Sequence, residues 1–266
     1  MTTKLAVLAV LAAITVTSCN QLATSPGTNN AAGEVCYWIA ANKDAMVSYG
    51  TIGQEANLNY GNGGFLAIAN GPLGRKMSYV HFTVPTYPAG TEILEAKLEL
   101  YHSGEREDGS TDDININVGI VRNEAWSPAT ITWNNQPFRG GNPAIDAALR
   151  LRSRAWSGTA DIAGAVREMI ATPDAIHGFA IWYADASGRQ VEKGFYSNND
   201  IRRKQTDLGL SPRLVVKVRF PSGKGTSDAT LPFLPADHDL KSLPQPVTTV
   251  NFRAGSAWPA DWNVSP

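Results

Sequence analysis

This chain of 266 residues has little charge, little cysteine and no long apolar run. Asp, Glu, Lys and Arg make up only 18% of it, and 23 basic against 24 acidic residues leave a formal net charge of -1 and a pI near 6.4. With neither sign in excess, the whole-chain field gives no general attraction to nucleic acid, so any charge-based recognition has to be local. Two cysteines, Cys19 and Cys36, allow one intramolecular disulfide at most. There is no glycine-rich phosphate loop, no nucleophile elbow and no zinc-binding histidine pair, and His81, His102, His177 and His238 are scattered. Two carboxylates can always be picked from 24 acidic residues to imitate a glycosidase pair, so such a choice carries little weight. A noncatalytic binding or structural module is therefore expected, with an unrecognised polysaccharide lyase or hydrolase as the outside alternative. No internal repeat is evident.

The N-terminus reads as an address. Lys4 precedes an apolar run from Leu5 to Val16, and Val16-Thr17-Ser18-Cys19 follows at once. Twelve residues are too few to span a bilayer. The segment resembles the lipobox of a bacterial lipoprotein, which implies a signal peptide over 1–18 and acylation at Cys19, the first mature residue. Several acyl chains, at about 0.8 kcal/mol per buried CH₂, hold a protein to a membrane essentially permanently. The alternative is an ordinary signal peptide with Cys19 retained and bridged to Cys36. If Cys19 is acylated, Cys36 is unpaired, and its setting in Val35-Cys36-Tyr37-Trp38 suits a small core residue.

Residues 19–33, rich in Ser, Pro, Gly, Thr, Asn and Ala, read as a flexible tether with a reach of roughly 20 Å. Residues 221–266 read as a proline-rich tail, with Trp258 and Trp262 available to dock back on the domain. Between them, residues 34–220 carry the period of strands. Ile93–Tyr101 places Ile93, Glu95, Lys97, Glu99 and Tyr101 on one face and Leu94, Ala96, Leu98 and Leu100 on the other. Ile114–Ile120 points Ile114, Ile116, Val118 and Ile120 inward. Further strands are expected at 78–84, 178–183, 194–197 and 213–220, separated by Gly, Pro and Asn turns. One segment departs from this pattern. In Asp161–Ala171, Ile162, Ala165, Val166, Met169 and Ile170 fall at helical spacing before Thr172-Pro173, with Asp161 placed as an N-cap.

The most distinctive stretch is Ala125-Trp126-Ser127-Pro128-Ala129-Thr130-Ile131-Thr132-Trp133-Asn134-Asn135-Gln136-Pro137. It reads as two core-anchoring tryptophans around a Thr-Ile-Thr strand, closed by a turn. Each fully buried large side chain stabilises by roughly 1.5–3 kcal/mol. With Asp44-Ala45-Met46-Val47, Asn59-Tyr60-Gly61, Met77–Val84, Pro88-Ala89-Gly90, Ala96-Lys97-Leu98, Asp161-Ile162, His177-Gly178-Phe179, Phe195-Tyr196-Ser197 and Pro212–Val216, it resembles the DNRLRE domain. That family overlaps carbohydrate-binding module family 96. The resemblance runs from about Asp44 to Phe220. It implies a jelly-roll-like antiparallel β-sandwich, all-β with one short inserted helix, on secreted and surface proteins, some of which bind alginate. The family often has an Asp two residues after the Phe of its central strand; here Phe82-Thr83-Val84 has none, which puts any role of that carboxylate in doubt.

For binding, Arg150, Arg152 and Arg154 fall on one face if their segment is a strand, with forks about 7 Å apart. Guanidinium forks suit the successive carboxylates of an anionic, alginate-like polyuronate. The plainer reading is a solvated face paired with acids such as Glu95 and Glu99. A second cluster, Arg202-Arg203-Lys204, lies in a predicted loop, where recognition and mere solubility both fit. For neutral sugars, Tyr49, Tyr60, Trp182 and Tyr183 offer rings, one of the adjacent pair Trp182 and Tyr183 facing in and the other out. No cofactor is required. Carboxylates of the acidic loop Glu105–Asp113, or Asp44, are available to a structural Ca²⁺, although no spacing demands one; the 113–124 stretch imitates a calcium loop but alternates as a strand. The expected protein is anchored by lipid in the bacterial cell envelope, facing the periplasm or the exterior, and binds polysaccharide or cell-surface glycan noncovalently. The rival is a structural or assembly component with envelope protein partners.

Overall fold

A computed structural model of the chain describes residues 34–50, 55–71, 74–102, 114–122, 124–139, 144–152, 155–183, 191–198 and 210–221. Its strands in chain order are β1 (Glu34–Ala40), β2 (Lys43–Gly50), β3 (Phe65–Gly71), β4 (Gly74–His81), β5 (Glu92–Tyr101), β6 (Ile114–Arg122), β7 (Ala147–Leu151), β8 (Trp156–Gly158), β9 (Ile176–Trp182), β10 (Val191–Tyr196) and β11 (Arg213–Arg219). One helix, α1 (Ala163–Ala171), lies between β8 and β9, and a 3-10 turn at Glu55–Asn57 follows β2. The smaller sheet runs β1-β11-β5-β8; the larger runs β10-β3-β4-β9-β6-β7, with β2 on β4. Every ladder is antiparallel. The described residues form an all-β sandwich with one sheet curled and one short helix.

Two apolar layers hold it together. The main core lies between the sheets, where Leu98, Leu100, Leu214 and Val216 of the smaller sheet meet Leu66, Ile68, Val80, Ile116 and Phe179 of the larger. The second lies on the outer side of the larger sheet, where Ala45, Val47, Met77, Tyr79, Val121, Ala180 and Trp182 are covered by Ile131, Trp126, Trp133 and Phe138. Strands at the centre of the larger sheet are thus buried on both faces. In β2 every residue from Asp44 to Ser48 is buried, and in β4 every residue from Met77 to Val80. Such strands lose the wet-dry alternation that marks a half-exposed sheet, which is why β2 and β3 were not among the expected strands.

Two bulges correct the expected faces. Between β11 and β5, Lys217 pairs with Glu95 and Val218 with Ile93, so Leu94 is an extra residue on β5. An extra residue reverses the parity beyond it. Ile93 therefore joins the core instead of the outer face, and Leu94 is only half-buried. Between β6 and β9, Ile120 pairs with Phe179 and Arg122 with Ile176. His177 and Gly178 thus face the single residue Val121, and Gly178 has a φ of 109°, which favours glycine, and a Cβ there would sit 2.2 Å from the Val80 carbonyl oxygen.

Helix α1 contacts β5 of one sheet and β9 of the other, and its Ala163, Ala165, Val166 and Met169 complete the main core. It begins two residues later than the expected span, and its N-cap position is Ile162, not Asp161. Asp161 still serves the helix start: its Oδ1 accepts from the Ala163 N–H at 2.9 Å and from the Ala96 N–H of β5 at 2.9 Å. One carboxylate oxygen thus binds helix and sheet together. Cys36, on β1, is disulfide-bonded, which corrects the expectation of an unpaired thiol there; Cys19 lies outside the described residues. Of the proline-rich tail only Pro221 is described.

At the end of β4, His81 pairs with Lys43 across the ladder and its Nδ1 lies 2.8 Å from Asn42 Oδ1. Burial first, then the neighbouring charges of Lys43 and His177, lowers its pKa to about 4.

Two measurements check these contacts. Asp161→Ala should cost about 1–2 kcal/mol in denaturant unfolding, and Asp161→Asn, which keeps an acceptor oxygen, distinctly less. Because folded His81 binds its proton only near pH 4 and an unfolded histidine near 6.5, its contribution to stability is intact above 6.5 and declines as pH falls toward 4. His81→Gln should flatten that decline in unfolding curves taken across the window.

Candidate functional site

The segment 124–139 is a chain of turns, not a strand: Thr130, expected in a strand core, lies in a turn, and Ile131 plugs the outer layer at 2% exposure. Its backbone groups find partners locally, Ile131 N–H donating to Ser127 O and the Asn135 side chain bridging Thr132 N–H and Thr130 O. Four further contacts dock it. Trp126 Nε1–H donates to the His177 carbonyl at 2.7 Å. The Asn59 amide donates to the carbonyls of Pro128 and Ile131 at 2.8 and 2.7 Å. Gly61 packs so tightly that a Cβ there would meet the Pro128 oxygen at 1.7 Å. From the sheet, the buried Tyr79 hydroxyl donates to Gln136 Oε1 at 2.7 Å, and burial pushes its ionisation far above the ordinary range, so it stays a donor.

The rim of this loop is less buried. The Trp133 ring lies 5.6 Å from that of Tyr49, tilted by 37°, and Tyr49, on the outer face of β2, is 47% exposed. Beside them Asn134 Nδ2 donates to Asn57 Oδ1 at 2.7 Å, both residues being exposed.

The outer face of the smaller sheet is a paired charge surface. Arg213 contacts Glu99 at 2.7 Å, Lys97 contacts Glu95, and Glu34 takes both Lys217 and Arg219, the latter also reaching Glu92. The hydrogen bonds from Lys217 and Arg219 hold the Glu34 carboxyl below its usual range. The Arg213 guanidinium also lies 3.8 Å from the Trp156 ring centre and 5.9 Å from that of Trp38. Four cations and four carboxylates cancel over this face, which therefore presents no net field to an anion.

Of the expected arginines, Arg150 and Arg152 are exposed at the end of β7, an edge of the larger sheet, with Arg150 opposite Asn115 of β6. Glu95 and Glu99, suggested as their partners, belong to the other sheet and pair with Lys97 and Arg213. The Arg152 backbone N–H donates to Ser157 Oγ, which ties the strand end to β8. Arg154, Arg202 and Arg203 lie outside the described residues. Tyr183 is corrected as a sugar-stacking candidate: at 6% exposure it belongs to the main core, while Trp182, at 2%, belongs to the outer layer. The pair does face opposite ways, but both sides are covered. Tyr60 packs partly buried against the main core.

Asp44 does not stand open to a cation. It is 1% exposed, and its two oxygens accept from Ser197 Oγ at 2.7 Å and Asn198 N–H at 2.6 Å. Among the described residues no three His, Cys, Asp or Glu side chains cluster to hold a metal; the acidic loop Glu105–Asp113 lies outside them, apart from the question. The rings of Tyr49 and Trp133 and the amides beside them gave only a partial signal in sequence. Tyr49 was a candidate ring, whereas Trp133 and Asn134 read as core and turn residues and Asn57 carried no signal of its own.

No curated protein matches the chain. The profile of carbohydrate-binding module family 96 matches residues 37–208, a span that contains the covering loop, both sheets up to β10 and the β7 arginines. The chain belongs to carbohydrate-binding module family 96.

Proposed function

We propose that this protein is a noncatalytic module that holds an anionic, alginate-like polysaccharide at the bacterial cell envelope, facing the periplasm or the exterior. Membership of a carbohydrate-binding family supports the polysaccharide as partner. The observation that carries the anionic reading is the exposure of Arg150 on edge strand β7 and of Arg152 immediately past its end. Alternate residues of a strand stand about 7 Å apart, a separation that lets two guanidiniums address two carboxylates along an extended chain. Each fork can take a carboxylate bidentately. Arg154 continues the same alternation in sequence.

Export rests on Lys4 and the apolar run Leu5–Val16, read as a signal peptide; with Cys36 disulfide-bonded and Cys19 the one other cysteine, Cys19 is read as retained and bridged. A thioether-linked Cys19 has no valence left for a disulfide, so acylation and a Cys19–Cys36 bridge exclude one another.

Affinity electrophoresis in gels containing alginate, pectin or neutral glycans tests the ligand. Alginate should retard the protein, and Arg152→Ala should weaken that retention about tenfold, because a hydrogen bond to a charged group contributes about 1.5–3 kcal/mol and 1.4 kcal/mol is a factor of ten. Unretarded migration in every gel removes the binding reading in favour of an assembly role, and release of unsaturated or reducing ends replaces it with catalysis. The bridge is tested separately by intact mass: an unacylated chain carrying the disulfide is expected, and a chain starting at Cys19 with acyl groups refutes it.

A further inference from the structure

We propose that Tyr49 and Trp133 form a stacking subsite for an uncharged pyranose ring, separate from the β7 arginines; this rests on the glycan-binding reading above and adds to it a contact that does not depend on charge. Tyr49 is the one exposed aromatic side chain among the described residues. Its position is decided by the fold. On β2, Ala45 and Val47 share its face and lie beneath the covering loop, whereas Tyr49 stands past the cover. Trp133 comes from the loop itself and meets Tyr49 at 5.6 Å with a tilt of 37°, so the two rings make a shallow angled surface and not a closed stack.

A single exposed tyrosine needs no explanation. Here it is accompanied by polar groups suited to a sugar. Asn134, next in sequence to Trp133, donates from Nδ2 to Asn57 Oδ1. That bond occupies one atom of each amide, so Asn57 retains its NH₂ and Asn134 its carbonyl oxygen. A donor and an acceptor therefore flank two aromatic rings. This set matches a pyranose whose hydroxyls are equatorial: its axial C–H groups form an apolar face for the rings, and its rim hydroxyls both give and accept hydrogen bonds. Tyrosine and tryptophan combine an apolar body with a polar tip and suit such a half-wet contact. The ligand class is a β-1,4-linked neutral glycan segment of gluco or xylo configuration.

The subsite differs from the arginine site in its response to salt, since stacking involves no ion pair to screen. The test is calorimetric titration of the full mature protein with cellohexaose and xylohexaose at low and high NaCl, with alginate electrophoresis run on the same preparations. At least one neutral hexasaccharide should bind with an affinity that salt leaves unchanged. Tyr49→Ala should weaken it at least tenfold, and Tyr49→Phe, which keeps the ring, should retain it. Trp133→Ala should also abolish it, with circular dichroism and thermal unfolding of Tyr49→Ala showing that the fold is kept. Three results overturn the subsite: no heat from any hexasaccharide while alginate still retards the protein, neutral binding that Tyr49→Ala leaves intact, or neutral binding that salt abolishes. Failure of both alginate and the hexasaccharides instead removes the glycan reading on which the subsite rests.

Discussion

The structure depends on covering the second face of its larger sheet. Strands β2, β4, β9 and β6 place Val47, Met77, Tyr79, Val121, Ala180 and Trp182 on the side away from the main core, and that apolar surface has to be removed from water. A loop of turns does this, with Ile131, Trp126, Trp133 and Phe138 as its apolar underside. A loop buried by its side chains must still satisfy its backbone. Asn59, the Asn135 side chain and the His177 carbonyl supply those partners, and the Tyr79 hydroxyl engages the one buried loop amide, Gln136. Segments far apart in sequence are therefore locked into one unit. Asn59-Tyr60-Gly61, His177-Gly178 and Trp126–Pro137 act as a set because each supplies a partner that another needs.

That arrangement also apportions the surface. The smaller sheet turns a wet face outward, but its charges cancel in pairs and its Trp38 and Trp156 rings are spent on Arg213. On the larger sheet's outer side the loop covers the centre and leaves two margins. At one margin, β7 exposes Arg150 and Arg152; at the other, β2 and the loop expose Tyr49 beside Trp133. One margin suits charge and the other suits an apolar sugar face. Carbohydrate-binding modules gain affinity from both kinds of contact without any catalytic group.

Some of this was legible in the chain itself. The alternation of Leu98 and Leu100 with Lys97 and Glu99 placed β5 correctly because one of its faces is wet. The helical spacing of Ile162, Val166 and Met169 located α1 for the corresponding reason, since only one stripe of it is buried. Where both faces are covered the signal vanished, as in β2 and β3. The Leu94 bulge was invisible as well, because it is set by β11 and not by β5's own pattern. Tyr183 was misjudged on similar grounds: a ring at the end of a strand looks available until the opposing sheet is known.

The sequence by itself determined the all-β class, the lone helix, the family and the conspicuous loop, because these follow from local periodicity and from residue types that only particular turns accept. The tertiary structure decided which side chains are left in water. Exposure is a property of what lies opposite, and for Tyr49, Trp133, Arg150 and Arg152 what lies opposite comes from segments distant in the chain. Hence Trp126 and Trp133, seven residues apart in one motif, have different situations: Trp126 is fastened to the His177 carbonyl, and Trp133 reaches the margin beside an exposed tyrosine.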